Sequence, residues 1–145
     1  MKKYINQIIE AVCGILLMLA PFQLFKVCTK CMPNGNPMGC YYSGKLVVWL
    51  GLVITLAAIY MIKNQSKAVH LSSQIIIFVS ALMCYLLPKR IIEVGHMKQD
   101  GWQIGLCHDP SMACNHTFMP FVSKVVLVLL VVSLVEFILK TLSEN

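Results

Sequence analysis

The sequence has 145 residues, of which 58% are hydrophobic and only 12% are charged, and its mean hydropathy is +0.74. Soluble domains usually carry about 25% charged residues, so this chain has too little polar surface for a globule in water. Twelve Lys and Arg against six Asp and Glu give a net charge of +6, but no basic run is long enough to follow a phosphate backbone. Composition excludes a cytosolic enzyme, a disordered chain and a nucleic-acid-binding module.

Four apolar stretches follow one another along the chain, at about residues 4–25, 46–62, 69–87 and 120–140. Each approaches the roughly 20 residues that cross the hydrocarbon core of a bilayer. Only a helix satisfies its backbone hydrogen bonds within a single segment in lipid. We therefore predict one domain over residues 1–145, an all-α integral membrane bundle of four transmembrane helices in two tandem hairpins.

The segments that connect these stretches differ greatly in length, and they set the expected topology. Residues 63–70 form a short polar turn, whereas residues 26–45 and 88–124 are long. With four spans, both termini share a side with the short turn. That side holds five Lys and Arg against seven in the long loops, which weakly opposes a cytoplasmic location of the termini.

Cysteine usage indicates the opposite orientation more strongly. Clustered cysteines in short loops are typical of an oxidising compartment. We therefore predict cytoplasmic termini and two extracytoplasmic Cys-rich loops. The long loops hold five of the seven cysteines, namely Cys28, Cys31, Cys40, Cys107 and Cys114.

Two disulfides, Cys28–Cys40 and Cys107–Cys114, are the simplest use of these loop cysteines, although spacing leaves the connectivity open. Such a bond typically contributes about 2–4 kcal/mol of stability. Cys31 is then left over. Alternatively, Cys28-Thr29-Lys30-Cys31 forms a C-x-x-C beside a cation, which favours a reactive thiolate.

A redox function would use that C-x-x-C together with Cys107 and Cys114. The layout of two external cysteine loops on four helices resembles membrane thiol oxidases of the quinone-reducing type, and would make this chain a membrane thiol–disulfide oxidoreductase. We expect no other catalytic residues, and a non-enzymatic role is favoured.

A second chemical alternative is a soft-metal site in the second loop. Thiolates and thioethers select Cu(I), and mixed Cys and His sets suit zinc. Methionine at a membrane interface more often fills space, and an oxidised Cys107–Cys114 pair would exclude a thiolate ligand. We therefore expect no cofactor, with copper or zinc as the alternative. The candidate ligands are His108, Met112, Cys114, His116 and Met119.

Two acids, Glu10 and Glu136, lie within the predicted spans. An ionisable residue inside a membrane is a candidate functional site by default. Glu136 precedes Lys140 by four residues, the favoured order for a helical ion pair, so a structural salt bridge is the simplest interpretation and a proton or substrate path the alternative. His70 and Gln74, one turn apart, are predicted to anchor the third span at the membrane interface.

Several short motifs give the chain a family resemblance. Phe25-Lys26-Val27-Cys28, Met38-Gly39-Cys40 and Met112-Ala113-Cys114 resemble the DUF4418 family of small bacterial four-span membrane proteins. Members look to have a His after the first M-x-C, where this chain has Tyr41, so a shared metal site in the first loop is not implied.

The resemblance implies a location in the bacterial cytoplasmic membrane. It also implies a role as companion of a membrane transport system. The expected function is therefore an accessory or interaction subunit, for example of an ABC-type transporter, that binds a membrane-protein partner or a second copy of itself and no nucleic acid.

Overall fold

Four helices form the part of the chain that the structure describes. The computed structural model describes residues 4–25, 39–64, 66–87 and 114–142, with side chains as far as residue 139. Each helix is long and apolar enough to cross a membrane, once the helical turns that flank it are included. The predicted all-α membrane fold is confirmed. The helices are α1 (Ile5–Leu19), α2 (Gly39–Lys63), α3 (Lys67–Leu86) and α4 (Met119–Leu142).

Two of the helices carry a wider, π-helical turn at one end. After α1 the chain continues as a π-helical turn over Ala20–Leu24, because Pro21 has no N–H to donate to the preceding helical turn. The turn closes where the Phe25 N–H donates to the Ala20 carbonyl over 2.8 Å. A similar turn, Cys114–Phe118, leads into α4. Such adjustments satisfy backbone groups that a membrane offers no water to bind.

The helices pack as a ring in which the most extensive contacts are between neighbours. α1 and α3 each pack on α2 and α4, so α1 and α3 face each other across the bundle. The Phe25 ring lies 4.9 Å from the Phe121 ring at one end of the bundle, and the Gln7 side chain meets that of Glu136 at the other. α1 and α4 are therefore antiparallel, and α2 ends and α3 begins at the Gln7 end.

Large apolar side chains cover the outside of the bundle. Trp49 on α2 is 67% exposed, and each of the four helices has exposed Leu, Ile, Val or Phe side chains. Contiguous exposed apolar surface of this kind marks contact with another apolar phase in place of water. The described helices thus have an outer surface that suits contact with the lipid bilayer.

Two helices begin earlier than hydropathy predicts. The second and fourth spans were expected from residues 46 and 120, but α2 is helical from Gly39 and the helical turn before α4 starts at Cys114. In the first turns of α2, Ser43 is buried, whereas Lys45 is exposed with its Nζ 4.8 Å from the centre of the Tyr41 ring. These turns are amphipathic, and hydropathy marks only the fully apolar part of a helix. Polar and aromatic side chains suit the headgroup region instead.

α1 and α2 approach each other closely where two glycines meet. A Cβ atom on Gly14 would lie 2.4 Å from Thr55 Oγ1, and one on Gly51 would lie 2.8 Å from the Gly14 carbonyl oxygen. Small residues allow this close backbone approach between membrane helices, where packing replaces the hydrophobic effect as the driving force. The contact fixes the first helical hairpin and thereby the position of Glu10, one turn from Gly14.

Candidate functional site

Six buried polar side chains meet inside the bundle, at the end that holds the α2–α3 turn. None is more than 7% exposed, and Glu10 is fully buried. Within each helix the two members are three or four residues apart, a spacing that places them on one face. We call this group the polar cluster; its members are Gln7 and Glu10 of α1, His70 and Gln74 of α3, and Ser133 and Glu136 of α4.

Gln74 lies at the centre of the polar cluster. Its Nε2 donates to Glu136 Oε2 over 2.8 Å and to Glu10 Oε1 over 3.1 Å. Its Oε1 accepts a hydrogen bond from the Ser133 hydroxyl over 2.7 Å. The Met61 sulfur of α2 lies 3.8 Å from the same amide nitrogen. One side chain therefore connects all four helices.

Glu136 makes a second set of contacts with the neighbouring helices α1 and α3. Its Oε1 accepts a 2.7 Å hydrogen bond from Gln7 Nε2 and lies 3.0 Å from His70 Nε2. The Gln7 and His70 nitrogens are themselves 3.2 Å apart. A hydrogen on His70 Nε2 can thus be donated to the carboxyl group, while the Gln7 amide supports the same oxygen.

The polar cluster brings two carboxyl groups and one imidazole into a low-dielectric interior. Buried ionisable groups are costly unless they are hydrogen-bonded, paired or neutralised by a proton. Within the described residues, no three His, Cys, Asp or Glu side chains are arranged to hold a metal ion. The chemistry that this arrangement offers is the binding and sharing of protons and hydrogen bonds.

An apolar layer separates the polar cluster from the other end of the bundle. Each helix contributes to it a side chain that is fully or almost fully buried: Leu17, Ile54, Ile77, Leu129 and the neighbouring Val126. These side chains belong to one continuous hydrophobic core. The layer leaves the polar cluster on one side of the bundle.

A lateral groove of about 270 Å³ runs between α3 and α4 next to the polar cluster. Gln74 and Ser133 belong to both the groove and the cluster, while the remaining lining side chains are apolar. Through Gln74 and Ser133, the cluster borders this groove, whose other lining side chains lie on the lipid-facing surface. It is lined by Gln74, Ile75, Phe78, Ser133, Leu134 and Phe137.

The structure gives the predicted intramembrane residues a shared site that the sequence did not reveal. Glu10 and Glu136 were identified separately, and both prove to contact Gln74. The side chain of Lys140, the predicted partner of Glu136, lies outside the described residues. The prediction that His70 and Gln74 anchor α3 at the membrane interface is wrong, because both side chains are turned into the bundle and buried.

Gln7 was missed altogether. It lies three residues before Glu10 on the same face of α1, just as His70 and Gln74 share one face of α3. Each of three spans carries two polar residues at helical spacing, and this pattern was the available sequence signal for a shared polar site.

The loop cysteines are only partly described. Cys40 is buried at the start of α2 and is disulfide-bonded; Cys28, Cys31 and Cys107 lie outside the described residues. The Cys114 sulfur is a thiol, so the predicted Cys107–Cys114 bond is not the arrangement found. Cys114 belongs to the buried core of the bundle, where it acts as a small apolar side chain.

The candidate metal ligands do not share one environment. Cys114 and Met119 are buried, whereas His116 between them is exposed. His108 and Met112 lie outside the described residues. The copper or zinc site and the redox use of the C-x-x-C stay predictions, and no described contact favours them.

The fold and the polar cluster together define a class, the polytopic α-helical membrane proteins with a hydrogen-bonded polar site inside the bundle. A family model described as "Domain of unknown function (DUF4418)" matches residues 10–139, which include all of the polar cluster except Gln7. The chain belongs to the DUF4418 family. Searches among curated proteins and among solved structures gave no match.

Proposed function

We propose that this protein is a small accessory subunit that binds a larger membrane transport protein, of the ABC type, within the bilayer. The observation that carries the proposal is the apolar layer, in which Leu17, Ile54, Ile77 and Leu129 are fully buried. A continuous hydrophobic core extends from the cluster towards the opposite end of the described bundle. The polar cluster would then act on other molecules through the outer surfaces of the helices. Such an action requires a partner protein in contact with those surfaces.

Gentle extraction tests this role. We expect the tagged protein, solubilised in a mild detergent and cross-linked beforehand in the membrane, to co-purify with a membrane transport protein at a fixed stoichiometry. Two substitutions on α2 form a matched pair of surface variants. Trp49→Ala removes a large lipid-facing side chain, and Leu56→Ala removes a smaller one on the same helix. Recovery of the chain alone, or only as a homo-oligomer, would contradict the proposal.

The proposed orientation has both termini and the α2–α3 turn in the cytoplasm of a bacterial cell, and the Cys40 end of the bundle outside. The disulfide bond of Cys40 supports it, because disulfides persist in oxidising compartments and are rare in the cytosol. As part of the same proposal, disulfide bonds cross-link the outer loops. The polar cluster would then open towards the cytoplasm.

Two matched cysteine variants test this orientation. Ser66 and His116 are both exposed and lie at opposite ends of the bundle. We expect a membrane-impermeant maleimide to label His116→Cys in intact spheroplasts, and Ser66→Cys only in inverted vesicles or after lysis. The unmodified protein supplies the background from native thiols. The reverse labelling pattern would show that the long loops face the cytoplasm.

A further inference from the structure

The two carboxyl groups of the polar cluster are bridged by a single amide. Gln74 Nε2 donates to Glu10 Oε1 over 3.1 Å and to Glu136 Oε2 over 2.8 Å. Two carboxylates that share a site repel each other, and one of them takes up a proton to relieve the repulsion. One remaining negative charge is matched by the N–H groups of Gln7 and Gln74, which donate to Glu136.

The groups that face this pair come from all four helices. α1 contributes Glu10 and the nearby Cys13 thiol, α3 contributes His70, and α4 contributes Glu136 itself. α2 contributes the uncharged thioether of Met61. Lys63 and Tyr60 of the same helix are exposed.

The polar cluster lies near one end of the described bundle. The apolar layer lies on the side towards Cys40, whereas His70 is in the first turn of α3, beside the polar α2–α3 turn. Its Nε2 is 3.0 Å from Glu136 Oε1, so the imidazole can pass a proton to that carboxyl group. An imidazole next to a carboxylate is a common proton relay in membrane proteins.

Gln7 supplies a second, independent sign that the cluster receives a hydrogen-bond donor. Its side chain is 6% exposed, and its Oε1 has no hydrogen-bond partner among the described residues. Buried polar oxygens are nearly always satisfied, by protein or by water. A water molecule that carries a proton into the cluster would donate to this oxygen.

We propose that the polar cluster is a proton-binding site, in which one exchangeable proton is shared by Glu10 and Glu136 and enters past His70 from the end of the bundle that holds the α2–α3 turn. The bound species is a proton, and no net chemistry occurs. This inference does not depend on the accessory role, since a proton site could serve a bundle that acts alone.

Infrared difference spectroscopy on the full chain in liposomes tests the proposal directly. Spectra between high and low pH should show the carbonyl band of a protonated carboxyl group, present at low pH and lost at high pH. The band should shift to lower frequency when the protein is labelled with ¹³C-glutamate, which assigns it to Glu and not Asp. This first measurement uses the unmodified protein and does not depend on how any variant folds.

Variants then assign the proton to the pair. Glu10→Gln and Glu136→Gln should each abolish or shift the band, and His70→Phe should slow its appearance after a pH jump. Gln23→Leu, on an exposed position of the π-helical turn after α1, should leave the band unchanged. Each variant is checked for a monodisperse, helical protein before it is scored.

Three results would overturn the proposal. The first is a spectrum with no glutamate carboxyl band over the whole pH range. The second is a band that persists unchanged in both Glu variants. The third is loss of the band on adding sodium chloride at fixed pH, with no loss on adding choline chloride, because the ligand would then be a metal cation and not a proton.

Discussion

Replacement of Gln74 by Leu is expected to lower the free energy of unfolding of the bundle by about 2–4 kcal/mol. The side chain donates to Glu10 and Glu136 and accepts from Ser133, so its loss leaves three buried groups without that partner. Each such loss costs about 1–3 kcal/mol in a protein interior, and nearer 0.6 kcal/mol on average for hydrogen bonds between membrane helices. The estimate combines these two ranges.

The measurement is unfolding in mixed micelles with increasing sodium dodecyl sulfate, followed by circular dichroism. Gln23→Leu is the matched control, since it makes the same chemical change at an exposed position and includes any gain from added hydrophobicity. Equal stability of the two variants would show that the polar cluster contributes little to folding. A Ser133→Ala variant should fall between them, because it removes only the hydrogen bond that Ser133 donates to Gln74.

The second large effect is expected where α1 and α2 touch. Gly14→Ala should destabilise the bundle by about 1–3 kcal/mol, the usual range for overpacking a well-packed interior. The added methyl group would lie 2.4 Å from Thr55 Oγ1 and 3.0 Å from two backbone atoms. This clash outweighs the roughly 1 kcal/mol that alanine gains over glycine in a helix.

A double-mutant cycle distinguishes a local clash from a general effect. In Gly14→Ala/Thr55→Ala the nearest clashing atom is gone, so the double variant should be more stable than the two single effects predict, by about 1 kcal/mol, a normal coupling between residues in contact. Gly51→Ala meets the Gly14 carbonyl oxygen at 2.8 Å, which is backbone, so Thr55→Ala should not rescue it. Additive behaviour in the first pair would contradict the predicted contact.

The sequence alone was sufficient to predict where the membrane spans lie, but it did not predict where the helices begin. Apolar runs of about 20 residues can only be membrane helices, because the bilayer leaves no other way to satisfy the backbone. The first turns of α2 hold Ser43 and Lys45, which lower the local hydropathy without breaking the helix. A hydropathy pattern therefore stops short of a helix that continues into the headgroup region.

In the polar cluster, too, the sequence was sufficient to identify some residues and insufficient for others. Glu10 and Glu136 stand out in any apolar stretch, because a carboxyl group in lipid needs an explanation. In the sequence, Lys140 lies one turn from Glu136 and offers it an ion-pair partner. Gln74 and His70 lie near a helix end, which favours the membrane interface, and a one-dimensional pattern does not tell which face of a helix turns inwards.

By itself, then, the sequence was sufficient to predict the four apolar helices that the structure describes and the acids that two of them carry. Composition and run length decide these properties, and they need no contact between distant residues. Only the tertiary structure decided that Gln7, Glu10, His70, Gln74, Ser133 and Glu136 form one site, since they come from three helices separated by up to 129 positions. Their meeting depends on how the ring of helices is rotated and packed, which the glycine contact between α1 and α2 helps to set.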